Sequence, residues 1–242
     1  MLPQPRLDVA DDLRPIDWPA VRAELARQGW ARLPELLSPA MCTGLKGLYG
    51  NDSRYRKTVD MARHRFGLGQ YRYFDYPLPP LVARLREALY EGLHPLATEW
   101  AARLGHWGPY PTRFADYTAR CHRAGARLPT PLVLRYGPGG YNTLHQDLFG
   151  TEFFPFQLVV GLSEPGQDYG GGEFVLVEQR PRSQSAAQVF TLAQGEGLVF
   201  PSHSRPVEGT RGTYRVALRH GVSPVVWGER YALGIVCHET NS

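Results

Sequence analysis

The sequence predicts a mainly β protein with α: a β-rich core, folded as a sandwich or closed double sheet, buttressed by N-terminal helices. Three observations predict it. From Pro129 to residue 240 the chain is a succession of short β-prone runs, PLVLRY, FQLVVGLS, GEFVLVEQ, GLVFPS, TYRVALRH and RYALGIVC, separated by Gly, Pro and Ser clusters, which is the texture of packed or closed antiparallel sheets. Ahead of this region apolar residues recur at helical spacing. The length of 242 residues, with 43% hydrophobic and 21% charged residues, suits one large globular domain. No linker-like composition and no internal repeat divides the chain. Residues 1–242 are therefore expected to form one domain, with 1–128 mostly helical support and substrate loops and 129–240 the β-core.

The helical elements follow in order. Trp18-Pro19 opens WPAVRAELARQG, where Val21 and Leu25 share a face and Gly29 closes the helix. GWARLPELL reads as a short strand. Ser38 is an N-cap for SPAMCTGLKGLYG, with Pro39 at the first helical position. PLVARLREALYEGLHPLATEWAARL, residues 80–104, carries a helical apolar stripe, with an interruption expected at His94-Pro95 because proline removes a backbone donor. FADYTARCHRAG is a further short helix.

Composition excludes several classes. The formal net charge is +4, with the positive excess in the first half, so an anionic partner would meet that half; a balance this small is far from a nucleic-acid signature. No apolar run is long enough to span a bilayer, and no membrane partner is expected. MLPQPRLDVADDLRPID lacks the apolar core of a secretory signal, so a cytoplasmic location is expected. Cys42, Cys121 and Cys237 are odd in number and scattered, which argues against a disulfide framework and a Cys-type zinc site.

The chemistry concentrates in GYNTLHQDLFG, residues 140–150. Residues i and i+2 of a strand project to one face, so His145 and Asp147 could point together into one cavity. H-x-D alone is a common tripeptide; it becomes a metal motif only with a third ligand. A 2-His-1-carboxylate triad holds Fe(II) on one face and leaves positions open for co-substrate and dioxygen. Of the eight histidines, His203, His220 and His238 follow His145. His220 precedes Arg230 by ten residues, and a strand-borne arginine can grip the carboxylate of a small organic acid with two hydrogen bonds. His203 remains a rival, because GLVFPS leads directly to it. His238, near the end of the last strand, reads as structural or as a neighbour of the ligands.

H-x-D, a distal His and an Arg ten residues later resemble the Fe(II)/2-oxoglutarate-dependent oxygenases. HGVSPVVWGERYAL and YGGGEFVLVE are similar to the C-terminal signature and the Gly-Gly-Glu turn of the prolyl-hydroxylase-like branch. RYGPGGYNTLHQD resembles the stretch before the metal in the AlkB family of nucleic-acid dealkylases, and GWARLPELLSPAMCTGLKGLY the strand-helix entry of the superfamily. The likeness covers residues 130–238 well and the helical half loosely. It implies a double-stranded β-helix (jelly-roll) core, with His145, Asp147 and His220 as iron ligands, Arg230 on the distal carboxylate of 2-oxoglutarate, and Tyr136 donating a phenol hydrogen bond to the same co-substrate. The implied cofactors are Fe(II), 2-oxoglutarate and O2, and the implied reaction hydroxylates a C–H bond with release of succinate and CO2. Two departures stand out. Leu134 occupies the position where the AlkB branch has Asn, and the segment from Phe200 to His220 is longer than the prolyl-hydroxylase spacing.

The substrate is open to three classes: a peptide or protein, a small molecule, or an alkylated nucleic acid. In MARHRFGLGQYRYFDY, residues 61–76, Arg63, Arg65 and Arg72 interleave with Tyr71 and Tyr73, a mixture that could stack on bases and neutralise phosphates, or pack the first half on the core. The expected reaction is prolyl-hydroxylase-like hydroxylation; the alternatives are AlkB-like oxidative dealkylation of bases and a non-catalytic cupin-like binding protein, which would have no need of Arg230.

Overall fold

The structure, a computed structural model, describes residues 13–105, 107–148, 152–210 and 212–242. Residues 1–12 of the N-terminal stretch read for a secretory signal lie outside them. Helix α1 (Trp18–Gln28) starts where the Asp17 carboxylate accepts the Ala20 N–H at 3.0 Å and stops at Gly29, whose φ of 83° ends the helix in the left-handed region. Helix α2 (Pro39–Gly47) is capped by Ser38, which accepts from Met41 N–H at 3.3 Å. Helix α3 (Pro80–Leu104) runs unbroken through Pro95, a correction to the expected interruption. The proline cannot donate to the carbonyl one turn back, but Arg22 donates to the neighbouring Gly92 carbonyl at 2.8 Å, and Leu85, Leu89, Leu93, Leu96 and Trp100 are buried on both sides of it. Burial of that stripe outweighs the lost hydrogen bond. Helix α4 (Phe114–Arg123) follows as expected. No helix among the described residues is long and apolar enough to cross a membrane.

The strands are β1 (Ala31–Leu33), β2 (Tyr55–Asp60), β3 (Gly67–Leu68), β4 (Gln70–Phe74), β5 (Leu132–Tyr136), β6 (Tyr141–His145), β7 (Phe156–Gly161), β8 (Tyr169–Gly171), β9 (Phe174–Gln179), β10 (Ala186–Phe190), β11 (Gly197–Pro201), β12 (Ser204–Gly209), β13 (Gly212–Val222), β14 (Val225–Gly228) and β15 (Arg230–Val236). Among the described residues they form a major sheet in the order β1-β11-β7-β15-β5-β4-β2, a minor sheet in the order β10-β9-β13-β6-β3 with β12 also on β13, and a small β14-β8 flap. This is a jelly-roll core. Strand β7 shows how the layers are built. Phe156, Leu158 and Val160 belong to the core shared with α3, where Trp100 packs on Phe156 at 4.8 Å. Val159, on the other face, joins Phe174, Leu176, Phe200 and Leu218 between the sheets. A strand buried on both faces reads as an apolar run, and FQLVVG does so apart from Gln157.

The first half is less helical than expected. Strands β2 and β4 extend the major sheet beyond β5, pairing Tyr71 with Leu134 and Tyr73 with Leu132. Residues 70–74 of the 61–76 segment are therefore a wall of the core itself. The three cysteines are free and buried.

Candidate active site

Register brings the first two site residues together. His145 ends β6 and lies directly across from His220 on β13; their rings are 4.2 Å apart. Asp147 is not on the strand, which stops at His145. The expected i, i+2 strand face is corrected here: Asp147 reaches the histidines from the irregular segment that follows. That segment is tied down by Gln146, which donates to the His203 carbonyl at 3.0 Å and the Leu218 carbonyl at 2.8 Å. His220 Nε2 lies 3.2 Å from Asp147 Oδ2, and His145 Nε2 lies 3.7 Å from Asp147 Oδ1. One donor atom from each of the three falls within 4.8 Å of the others.

The surroundings favour a cation. His145 Nδ1 faces the Thr143 carbonyl at 2.7 Å; a carbonyl only accepts, so Nδ1 carries the proton and Nε2 presents its lone pair to the site. Burial, with His220 nearby, holds the His145 pKa below its ordinary value, which keeps the ring neutral; Asp147 partly opposes this. Burial pushes the Asp147 carboxyl upward, but His220, His145 and Gln157 more than offset it, so it stays well below the usual carboxylate range. Two imidazoles and one carboxylate converging on one point are a donor set that fits a divalent metal of the Fe(II) type. Phe174 and Phe200 flank the His220 ring at 5.8 and 4.8 Å.

The three residues open on a cavity of about 230 Å³ between the sheets, lined also by Tyr71, Tyr73, Leu134, Tyr136, Asn142, Gln157 and Arg230. Arg230 begins β15 opposite Tyr136 on β5 and is 3% exposed. Its guanidinium sits 5.6 Å from the Tyr136 ring centre. Among the described residues, the Arg230 Nε and the Tyr136 hydroxyl are buried with no partner at hydrogen-bond geometry. Buried donors are rarely left so, and an organic carboxylate would satisfy both. Burial, opposed by Arg230, raises the Tyr136 pKa, so the phenol keeps its proton and can donate. The glycine turn has a concrete role here: Gly172 has φ of +67°, and a Cβ on it would come within 2.9 Å of Arg230 Cδ. Ala232 and Gly234 carry the cavity floor away from Arg230 with little side chain to fill it.

The other candidates separate. His203 is outside the triad and outside the cavity lining; its Nδ1 is 3.1 Å from Ser204 Oγ and its ring is 6.1 Å from Trp107. His238 is fully buried against Phe153. Tyr71 and Tyr73 face the cavity. Arg72, between them, necessarily faces the other way, which corrects its expected contact with substrate: it donates to the Tyr49 carbonyl, to Thr58 Oγ1 at 3.0 Å and to Asp52 Oδ1 at 2.6 Å, with its guanidinium over Tyr55. Arg63 and Arg65 are exposed in the turn before β3, beside the exposed Phe66, which stacks on His64 at 5.4 Å and lines the cavity. Sequence reasoning missed Gln157 and Asn142. A lone glutamine inside the buried run FQLVVG was the available signal for the first; nothing marked the second.

Comparison with known proteins gives the fold and the family. The fold is shared with a Pseudomonas putida prolyl-4-hydroxylase (18% identity, TM-score 0.56, covering 92% of this chain and 99% of that one). It is shared equally with a 2OG-Fe(II) oxygenase family oxidoreductase from Burkholderia pseudomallei (16%, TM-score 0.55, 95% of each chain). A prolyl hydroxylase from Trichoplax adhaerens, solved with a hypoxia inducible factor peptide fragment, matches at 16% identity and a TM-score of 0.53, over 90% of this chain and 86% of that one. The Mycobacterium tuberculosis protein named "Uncharacterized protein Rv2227" is 44% identical over 195 residues, 81% of this chain and 78% of the relative. Residues 69–240, which include every residue of the triad together with Tyr136 and Arg230, match the model of the family described as "Oxygenase, catalysing oxidative methylation of damaged DNA". The chain belongs to this oxygenase family, Oxygenase-NA.

Proposed function

We propose that the chain is an Fe(II)- and 2-oxoglutarate-dependent dioxygenase that hydroxylates a C–H bond of its substrate. His145, Asp147 and His220 hold the metal; Arg230 and Tyr136 hold the distal carboxylate of the co-substrate. One observation carries the reading: a His-Asp-His group shares one cavity with a buried Arg-Tyr pair whose Arg230 Nε and Tyr136 hydroxyl have no hydrogen-bond partner among the described residues. A cupin-like binding protein would not need the second half of that arrangement.

When bound, iron and 2-oxoglutarate supply the oxidative chemistry, in which one oxygen atom of O2 enters the substrate and the other enters succinate as CO2 is lost. The chain's own residues do the rest. His145, Asp147 and His220 would hold the metal from one side, as a 2-His-1-carboxylate set does. Arg230 and Tyr136 would bind and orient the co-substrate, and Ala232 and Gly234 leave room in the same cavity. The Phe174 and Phe200 rings keep water from the His220 side. Tyr71 and Tyr73 on β4 narrow the approach.

A second reading concerns the substrate. The family description names damaged DNA, and the mouth of the cavity carries Phe66 stacked on His64 beside exposed Arg63 and Arg65. An aromatic platform beside positive charge suits an unstacked base and its phosphates. Hydroxylation of an alkyl carbon bonded to nitrogen would then release the alkyl group as an aldehyde. Succinate release is the test of the enzyme: wild-type protein with Fe(II), 2-oxoglutarate and O2 should produce it, and His220→Ala protein should not. Mass spectrometry of alkylated oligonucleotides and of proline-containing peptides after turnover decides between a demethylated base and a peptide heavier by one oxygen. No succinate under any condition would end the dioxygenase reading.

A further inference from the structure

Strand β7 is apolar along its whole buried length except at Gln157, which is 6% exposed. A carboxamide in such a place is unfavourable unless it is hydrogen-bonded. Its Nε2 donates to Asp147 Oδ2 at 2.8 Å. The contact crosses from the major sheet, where Gln157 is paired with Val236 and Phe200, to the segment that follows β6. Asp147 needs such a contact more than either histidine does. His145 and His220 are fixed by the ladder between β6 and β13, whereas Asp147 lies past the end of β6 and has no strand pairing to set its direction. Gln146 anchors the backbone of that segment; only a side-chain bond can orient the carboxylate itself.

We propose that Gln157 is a positioning residue for the metal centre: its bond to Asp147 Oδ2, the oxygen that also faces His220 Nε2 at 3.2 Å, fixes the turn of the carboxylate so that Oδ1 stays directed toward His145 Nε2, 3.7 Å away. The inference rests on the triad proposed above. It differs from a role in packing, because it concerns the direction of a ligand atom and not the filling of space.

The experiment uses the full chain, freed of metal and titrated with Mn(II) or Co(II). Gln157→Met keeps the volume and removes the donor; Gln157→Asn keeps a carboxamide one methylene too short to reach. Both variants should bind Mn(II) about 10- to 100-fold more weakly, the usual effect of losing a hydrogen bond to a ligand. Both should also shift the visible absorption of the Co(II) form, which reports its coordination. Thermal unfolding of the metal-free proteins separates folding from ligation. His145→Ala is the control for the triad. If His145→Ala binds Mn(II) as wild type does, the triad reading fails and takes this proposal with it. If His145→Ala loses Mn(II) while Gln157→Met or Gln157→Asn, whichever is folded, keeps wild-type affinity and an unchanged Co(II) spectrum, the triad stands and Gln157 does not position it.

Discussion

Replacing Arg230 by Met tests the co-substrate end of the cavity. The substitution keeps most of the aliphatic stem that packs on Gly172 and removes the guanidinium, which lies over Tyr136 and is 3% exposed. Because the group is shielded from solvent, screening of its interaction with a carboxylate is small. Truncating one partner of a buried, hydrogen-bonded charge pair costs about 2–5 kcal/mol, and at about 1.4 kcal/mol per decade this is a loss of roughly 30-fold to a few thousandfold. Tyr136 remains as a second donor, which places the expectation near about 100-fold. The interaction is made equally before and during reaction, so the loss should fall on the KM for 2-oxoglutarate with kcat little changed. The assay is initial rate of succinate release against 2-oxoglutarate concentration, with Mn(II) affinity measured in parallel. Arg230→Lys, which keeps the charge but not the fork, should fall between the two. An unchanged KM in Arg230→Met protein would refute the assignment of this arginine; a lost Mn(II) affinity would show that it supports the metal instead.

Three further outcomes are expected. His220→Ala should eliminate succinate release in the absence of substrate, whereas His203→Ala should retain it, since His203 lies outside the triad and the cavity; the opposite pattern would reverse the choice of ligand. Arg63→Ala with Arg65→Ala should weaken binding of a single-stranded oligonucleotide and flatten its salt dependence, because fewer counterions are released; wild-type protein with no salt-dependent binding would remove the nucleic-acid reading. Burial pushes the His238 pKa down to about 4 from 6.5. The folded state thus resists a proton that the unfolded chain accepts, so this contribution to stability is complete above pH 6.5 and is lost progressively as pH falls towards 4. Between pH 7 and pH 5 the loss from this residue should be about 2 kcal/mol, read from urea unfolding as a steeper decline in wild type than in His238→Gln; equal declines would contradict it.

Much of the site was legible because its chemistry is written in short spacings. H-x-D is local, and the ten residues from His220 to Arg230 cover one strand end, one flap and the start of the next strand. The β texture after Pro129 was legible too, since apolar runs bounded by glycine and proline mark strands wherever they pair. Segment 61–76 was harder. Its residue types suggested contact with substrate, but alternation along β4 sends Tyr71 and Tyr73 into the cavity and Arg72 to the far side. A period of two says that neighbours point opposite ways; it does not say which way is inward.

By itself, the sequence determined a β-rich sandwich or closed double sheet, which its family resemblance narrowed to a jelly roll, a candidate metal-binding pair, and a short list of distal histidines with an arginine to match. Only the tertiary structure brought one of those histidines to the pair, because cross-strand register sets His220 opposite His145 and leaves His203 beside Trp107. It also decided that Asp147 approaches from beyond its strand and that Gln157, from the opposite sheet, meets its carboxylate. The physical reason is range. Spacing and periodicity act over a few residues of one strand, whereas the site is closed by contacts between two sheets whose register depends on the packing of the whole core.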